Sequence, residues 1–158
     1  MEKFTFFWHN QSPFSQWHPS TFVVEGNTFN TAEQWMMYQK AILFGDVEIA
    51  GKVLKTNNPK TQKALGKKVR NFDESTWVAH RERIVYEGNY HKFTQNEALK
   101  TALFATKGTT LVEASPLDKI WGIGLADDDA RAYHRSTWRG LNLLGEVLTR
   151  LREALMEE

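Results

Sequence analysis

Glu33 and Lys40 are the only formal charges in residues 31–44, TAEQWMMYQKAILF, where nearly every other side chain is apolar or aromatic. They stand two helical turns apart, so on a helix both project from one face. Met36, Met37 and Phe44 share that face, while Trp35, Tyr38 and Ile42 fall on another. A helix that is apolar on most sides should be buried, and buried charge is costly unless it is paired or used. A carboxylate and an amine in apolar surroundings can serve as tuned acid, base or nucleophile. The same residues have a structural account. Thr31 is a good N-cap, and Gln34 three positions on completes a capping box. Glu33 then sits in the first turn, where the helix dipole favours an anion, and Lys40 can run its apolar stem out to solvent.

A second chemical segment is 111–124, LVEASPLDKIWGIG. Glu113 and Asp118 flank a Ser-Pro turn, and Trp121, Gly122 and Gly124 follow. Glycines let backbone approach a ligand closely or take positive φ, and a tryptophan beside them can stack on a flat heterocycle. A surface turn anchored by a tryptophan would use the same residues. Further on, Trp138, Gly140 and Asn142 precede the last helix, whose N-terminal amides could hold a phosphate. Asn142 is read as its N-cap, a role compatible with anion binding. Trp77 shares a helix face with Ile84 and is expected in the core. Lys67, Lys68 and Arg70 form a basic cluster of the kind that is usually a solvated face.

The elements that must position these residues follow from periodicity and turn signals. Residues 4–8 and 21–24 read as short strands, joined by a loop rich in aromatics and turn residues. Glu25, Gly26 and Asn27 make a turn before Phe29. Helices are expected over 31–44, 46–55, 60–65, from Asp73 or Ser75 to Glu87 with Gly88-Asn89 as the stop, and over 94–106. Residues 109–112 read as a strand and 113–127 as loop. The last helix is expected over 140–156, with Leu141, Leu144, Leu148, Leu151 and Leu155 in helical period. The fold class is thus mainly α, an α+β chain with a few short strands, in one domain spanning 1–158.

Composition narrows the function classes. The chain has 158 residues, enough for one domain with a real core. Its 20 basic and 19 acidic residues leave a net charge of +1, so no bulk field draws it to nucleic acid or membrane. There is no cysteine, hence neither a disulfide framework nor a thiolate nucleophile, which fits a reducing, cytoplasmic setting. No signal peptide or membrane span is read in the sequence. The five histidines are scattered, with no metal-binding spacing.

Together these pieces resemble the YbiA-like family, the NADAR superfamily, across nearly the whole chain. The resemblance runs through Phe14-Ser15-Gln16-Trp17 and Pro19, then Phe22, Gly26 and Phe29. Thr31-Ala32-Glu33 with Gln39-Lys40 is similar to the family's T-[AS]-E-x(5)-Q-K helix. Leu65-Gly66, Val69-Arg70 and Trp77 follow, then 111–116, Asp118, Trp121-Gly122 and 140–145. Two positions depart from the pattern. Gln16 stands where the family commonly has asparagine, and Lys67-Lys68 where arginine often follows the glycine. The resemblance implies a compact single-domain helical fold and cleavage of N-glycosidic bonds. It implies catalytic roles for Glu33, Lys40, Trp77 and Asp118, and substrate-binding roles for Ser15, Trp17, Gly66, Arg70, Glu113, Trp121, Gly122 and Asn142. The implied ligand is a small ribosylated pyrimidine, an intermediate of riboflavin biosynthesis, or an ADP-ribose-type molecule. No metal or redox cofactor is needed, and no stable nucleic-acid complex or membrane association is expected. A module that binds a nucleotide-like ligand without catalysis is the reading from a different class, and it would not need Glu33, Lys40 and Asp118 together.

Overall fold

The strand expected at 4–8 forms as β1, Phe4–Phe7, and its partner lies far along the chain. In the computed structural model, which describes residues 1–158, β1 pairs in parallel with β4, Thr110–Glu113, Phe4 opposite Thr110 and Phe7 opposite Glu113. Contacts gather the chain into two units: a terminal unit of Met1–Ser15 with Ala98–Glu158, and a central unit of Gln16–Glu97.

The central unit opens with a hairpin, β2, Phe22–Val24, and β3, Asn27–Phe29. Its connection is two residues, Glu25 at φ 50° and Gly26 at φ 84°, the double positive-φ turn that matches strand twist. The strand expected at 21–24 forms as β2, whereas β3 is not read from the sequence, because a three-residue strand carries too little alternation to register. Helix α1, Ala32–Leu43, begins at the expected cap: Thr31 Oγ1 accepts the Gln34 N–H at 3.1 Å. The reciprocal half of the capping box is displaced by one residue, with Gln34 Oε1 accepting from Asn30 N–H at 2.7 Å. Gln34 Nε2 donates to Val53 O and Thr56 O, so the same side chain holds the end of α2, Val47–Leu54. Asp46 caps α2, and Asn58 caps α3, Pro59–Gly66.

Helix α4, Glu74–Thr94, corrects the expected stop at Gly88-Asn89. It continues through both residues because each meets a partner from elsewhere. A Cβ on Gly88 would lie 2.3 Å from Trp35 Cδ1, and Trp35 Nε1 donates to Ile84 O at 2.8 Å. The glycine is there for close packing rather than to end a helix. The chain breaks later, at Gln95 and Asn96, so the helix expected over 94–106 shortens to α5, Glu97–Phe104. Gln95 brackets Val23, accepting its N–H at 2.8 Å and donating to its carbonyl at 2.9 Å, and thereby seals one edge of the hairpin.

In the terminal unit, α6, Leu143–Met156, packs against β4. Leu144, Leu148, Leu151 and Leu155 are buried as their period implies, whereas Leu141 precedes the helix and is exposed. Val112, Ile123, Leu125 and Ala132 form a core cluster with Phe4, Phe6 and Trp138 against it. Two short 3-10 helices, Ala130–Tyr133 and Arg135–Thr137, complete this unit. No helix in the chain is long and apolar enough to cross a membrane.

One buried amine on α4 should make stability depend on pH. Lys92 is fully buried, and burial pushes its amine down to about 7. The unfolded amine titrates near its ordinary value of about 10.4. Between those limits the unfolded chain holds a proton that the folded chain has lost, so stability rises with pH. The urea midpoint should climb from pH 7 to pH 9.5, and Lys92→Met should flatten that climb. An unchanged slope in the variant would rule Lys92 out as its source.

Candidate active site

Two of the candidate residues stand on α1. Glu33 is its second residue, 4% exposed, with its backbone N–H donating to Gln16 O at 3.0 Å. Its first-turn position, which the helix dipole favours, coexists with burial. Two turns on, the half-buried Lys40 places Nζ 4.7 Å from the Phe72 ring centroid and 5.6 Å from that of Trp77. Burial lowers the Lys40 pKa; the carboxylates of Glu74 and Glu33 oppose that shift and Lys67 reinforces it. Lys40 therefore does not simply escape to solvent: its ammonium lies against aromatic faces.

Met36 and Met37 on this face are buried, and Gly66 at the end of α3 lies directly under Met37. A Cβ at Gly66 would sit 2.0 Å from Met37 Sδ, so packing alone requires the glycine. Arg70 is bound within the chain: its backbone N–H and guanidinium both donate to Asp46, at 2.9 Å each, and Glu48 lies 3.6 Å away. The Arg70 guanidinium holds the Asp46 carboxyl well below the usual carboxylate range. Of the basic cluster, Lys67 rather than Arg70 is the charge felt by Lys40.

Helix α4 supplies a row that sequence reading missed. Trp77, Arg81, Val85 and Asn89 stand at four-residue intervals, one above another on the buried face. Trp35 packs near Ile84 and Gly88 while Lys40 reaches Trp77, so α1 and α4 run antiparallel. Arg81 consequently comes level with the stretch between Trp35 and Lys40. It is 9% exposed, and its Nε has no hydrogen-bond partner in the chain. Asn89 is fully buried and donates to Gln16 Oε1 and to Val85 O, each at 2.9 Å. The available signal was that spacing, an arginine and an asparagine continuing the stripe of Trp77. Trp17 is half-buried in this unit, and Ser15, the last residue of the terminal unit's first segment, is buried.

The terminal unit carries the other candidates. Half-buried Asp118 accepts the N–H groups of Ile120 and Trp121 through Oδ1, at 2.9 and 2.8 Å, and leaves Oδ2 outside that turn. Trp121 is half-buried beside it. A Cβ on Gly122 would meet Asp118 O and Glu113 O, both at 2.9 Å, so the glycine permits two backbone segments to close on each other. Asn142 needs correction as a cap. Its side chain makes no capping bond; it stands at φ 52° and, fully buried, serves β4 instead. Its Oδ1 accepts from Glu113 N–H at 3.0 Å and its Nδ2 donates to Leu111 O at 3.0 Å. The helix start is no ready anion site either, because the amides of Leu141, Asn142, Leu143 and Leu144 donate to carbonyls of residues 119–122. The loop folds back over the helix start and satisfies it.

A cleft of about 430 Å³ opens on the opposite face of α1, lined by Trp35, Tyr38, Gln39 and Ile42 with the hairpin and part of α4. None of the candidate residues lines it.

With this geometry in hand, comparison with known proteins places the chain. The NADAR domain family matches residues 6–156, and the chain belongs to that family. It is 46% identical to N-glycosidase R617 of Acanthamoeba polyphaga mimivirus over 145 residues, covering 89% of this chain and 85% of that protein. It is 28% identical to N-glycosidase YbiA of Shigella flexneri, covering 92% of this chain and 82% of that one. Enzymes so named are hydrolases acting on N-glycosyl bonds. The solution structure of Escherichia coli YbiA shares the fold, with a TM-score of 0.80 at 24% identity over 99% of this chain and 88% of that one. The expectation of a YbiA-like, mainly helical fold is therefore met.

Proposed function

We propose that this chain, an N-glycosidase by family, hydrolyses the bond between ribose and the amino nitrogen of a phosphorylated ribosylaminopyrimidine, releasing ribose 5-phosphate. The observation that carries the reading is the Glu33–Lys40 face: a carboxylate 4% exposed and a half-buried amine that share one helix side with aromatic walls. Breaking the C1–N bond develops positive charge at C1, which a buried carboxylate stabilises. Water adds its oxygen to C1, and the departing amine takes a proton. Glu33 takes the proton of the attacking water and passes it to the departing amine. Trp77 walls the heterocycle, and Arg81 with Lys67 meets the phosphate, Arg70 being held by Asp46.

The lowered Lys40 amine supports a second reading, removal of ADP-ribose from a modified nucleobase by a covalent route. The ring-opened sugar presents an imine at C1. Neutral Lys40 attacks it, the amine leaves, and water hydrolyses the resulting Schiff base to the free aldehyde. Burial favours the neutral amine this step needs. One assay separates the readings. Purified protein is given the ribosylaminopyrimidine phosphate and, in parallel, an ADP-ribosylated guanine, with borohydride present in matched samples. Release of ribose 5-phosphate from the first is expected. Turnover of only the second, with a sugar adduct on Lys40 by mass spectrometry, would replace the first reading with the second. Binding without turnover of either would leave a non-catalytic module.

A further inference from the structure

We propose that Gln16 and Asn89 form the subsite that reads the vicinal hydroxyls of the sugar, making the enzyme selective for ribosyl over 2-deoxyribosyl bonds. This rests on the reading of Glu33 as the group acting at C1. Both amides are more than nine-tenths buried, Gln16 at 8% and Asn89 at 0% exposure. Asn89 Nδ2 uses its two hydrogens on Gln16 Oε1 and Val85 O, at 2.9 Å each. Those bonds also fix the orientation of the amides, because Val85 O accepts only from a donor. What remains is one acceptor, Asn89 Oδ1, and one donor, Gln16 Nε2, neither with a partner in the chain. Buried polar atoms are otherwise matched almost without exception, and each orphan calls for an explanation.

The complement of an adjacent donor and acceptor is a group that offers one of each on neighbouring atoms. A vicinal diol does so, with one hydroxyl donating to Asn89 Oδ1 and the next accepting from Gln16 Nε2. The location agrees. The Gln16 carbonyl accepts the Glu33 N–H at 3.0 Å, so the pair adjoins the carboxylate assigned to C1. The hydroxyls at C2 and C3 lie one and two bonds along the same ring. A heterocyclic amide edge has similar polarity, but the aromatic wall that suits a heterocycle, Trp77, lies with Lys40 at the far end of the face. Phosphate is disfavoured, since the pair is neutral and one of its orphan atoms is itself an acceptor.

The test compares the ribosylaminopyrimidine phosphate with its 2-deoxyribosyl counterpart, and separately the binding of ribose 5-phosphate and 2-deoxyribose 5-phosphate by calorimetry. A site built to bond a hydroxyl rejects the analogue that lacks it, so kcat/KM should fall by about 100-fold or more on the deoxy substrate. Intrinsic reactivity pushes the other way, because removing the electron-withdrawing hydroxyl eases cleavage at C1. Gln16→Met, close in shape, should bring the discrimination below about tenfold by lowering activity on the ribosyl substrate alone. Asn89→Leu should do the same if it folds, and Gln16→Met decides the matter if it does not. Equal kcat/KM for both sugars, or discrimination unchanged in Gln16→Met, overturns the proposal while leaving hydrolysis intact. No turnover together with calorimetric preference for ribose 5-phosphate, lost in Gln16→Met, sustains the subsite and removes the hydrolysis reading. Failure to bind either sugar phosphate at millimolar concentration overturns the subsite.

Discussion

Replacing Glu33 with glutamine is expected to cut kcat by about a thousandfold while ligand affinity stays within a few-fold. The magnitude follows from what the carboxylate does. Stabilising the charge that develops at C1 is worth about 10²–10³ in rate, and acid–base assistance about 10²–10⁴. Glutamine keeps the shape and removes the charge. The stability change should be small, since a first-turn anion contributes only about 0.3–1 kcal/mol through the helix dipole. Steady-state kinetics, calorimetry and a thermal melt on one preparation check the three parts. Activity within tenfold of the unsubstituted protein would mean that Glu33 serves its helix and nothing more. A melting temperature that collapses with the activity would place the residue in the core.

The second large effect is on stability. Asn142→Ala should destabilise the fold by about 3–5 kcal/mol. It strands two backbone groups at β4, Glu113 N–H and Leu111 O, whose partners are both on this one side chain. Each buried group left unmatched costs about 1–3 kcal/mol. Alanine must also hold φ near the observed 52°, a left-handed conformation that costs an ordinary residue about 1–2 kcal/mol. Asn142→Gly removes the strain but not the lost bonds, and should recover about 1 kcal/mol relative to alanine. Urea denaturation of the two variants separates the contributions. Equal losses would show that backbone conformation plays no part, and a loss in alanine under about 1 kcal/mol would show that β4 finds other partners.

What could be read from the sequence was whatever the chain settles locally. Thr31 and Gln34 cap α1 because the partners lie within one turn, and Asp46 starts α2 for the same reason. The leucine period of α6 survives because one face meets one core. Errors arose where a distant side chain overrides the local signal. Gly88 looks like punctuation until Trp35 arrives against it, and Asn142 looks like a cap until the β4 backbone claims its amide. The candidate site divides in the same way. The spacing of Glu33 and Lys40 revealed their shared face. Arg81 and Asn89 went unnoticed because a buried arginine and asparagine inside a helix are indistinguishable, in sequence, from exposed ones. Only burial and orphaned atoms mark them.

The parallel pairing of β1 with β4 carries a consequence for biosynthesis. β1 leaves the ribosome well before its neighbour in the sheet, Thr110–Glu113, which is made only after the whole of Gln16–Glu97. At roughly 5–20 residues per second the delay is on the order of 5 to 20 s. Throughout it, Phe4, Phe6 and Phe7 form a nascent strand with no mate and no core, the kind of segment that chaperones retain and that aggregates when they do not. The contiguous central unit has no such wait. Folding order is thereby written into connectivity: the middle of the chain can consolidate during translation, and the two ends must find each other last.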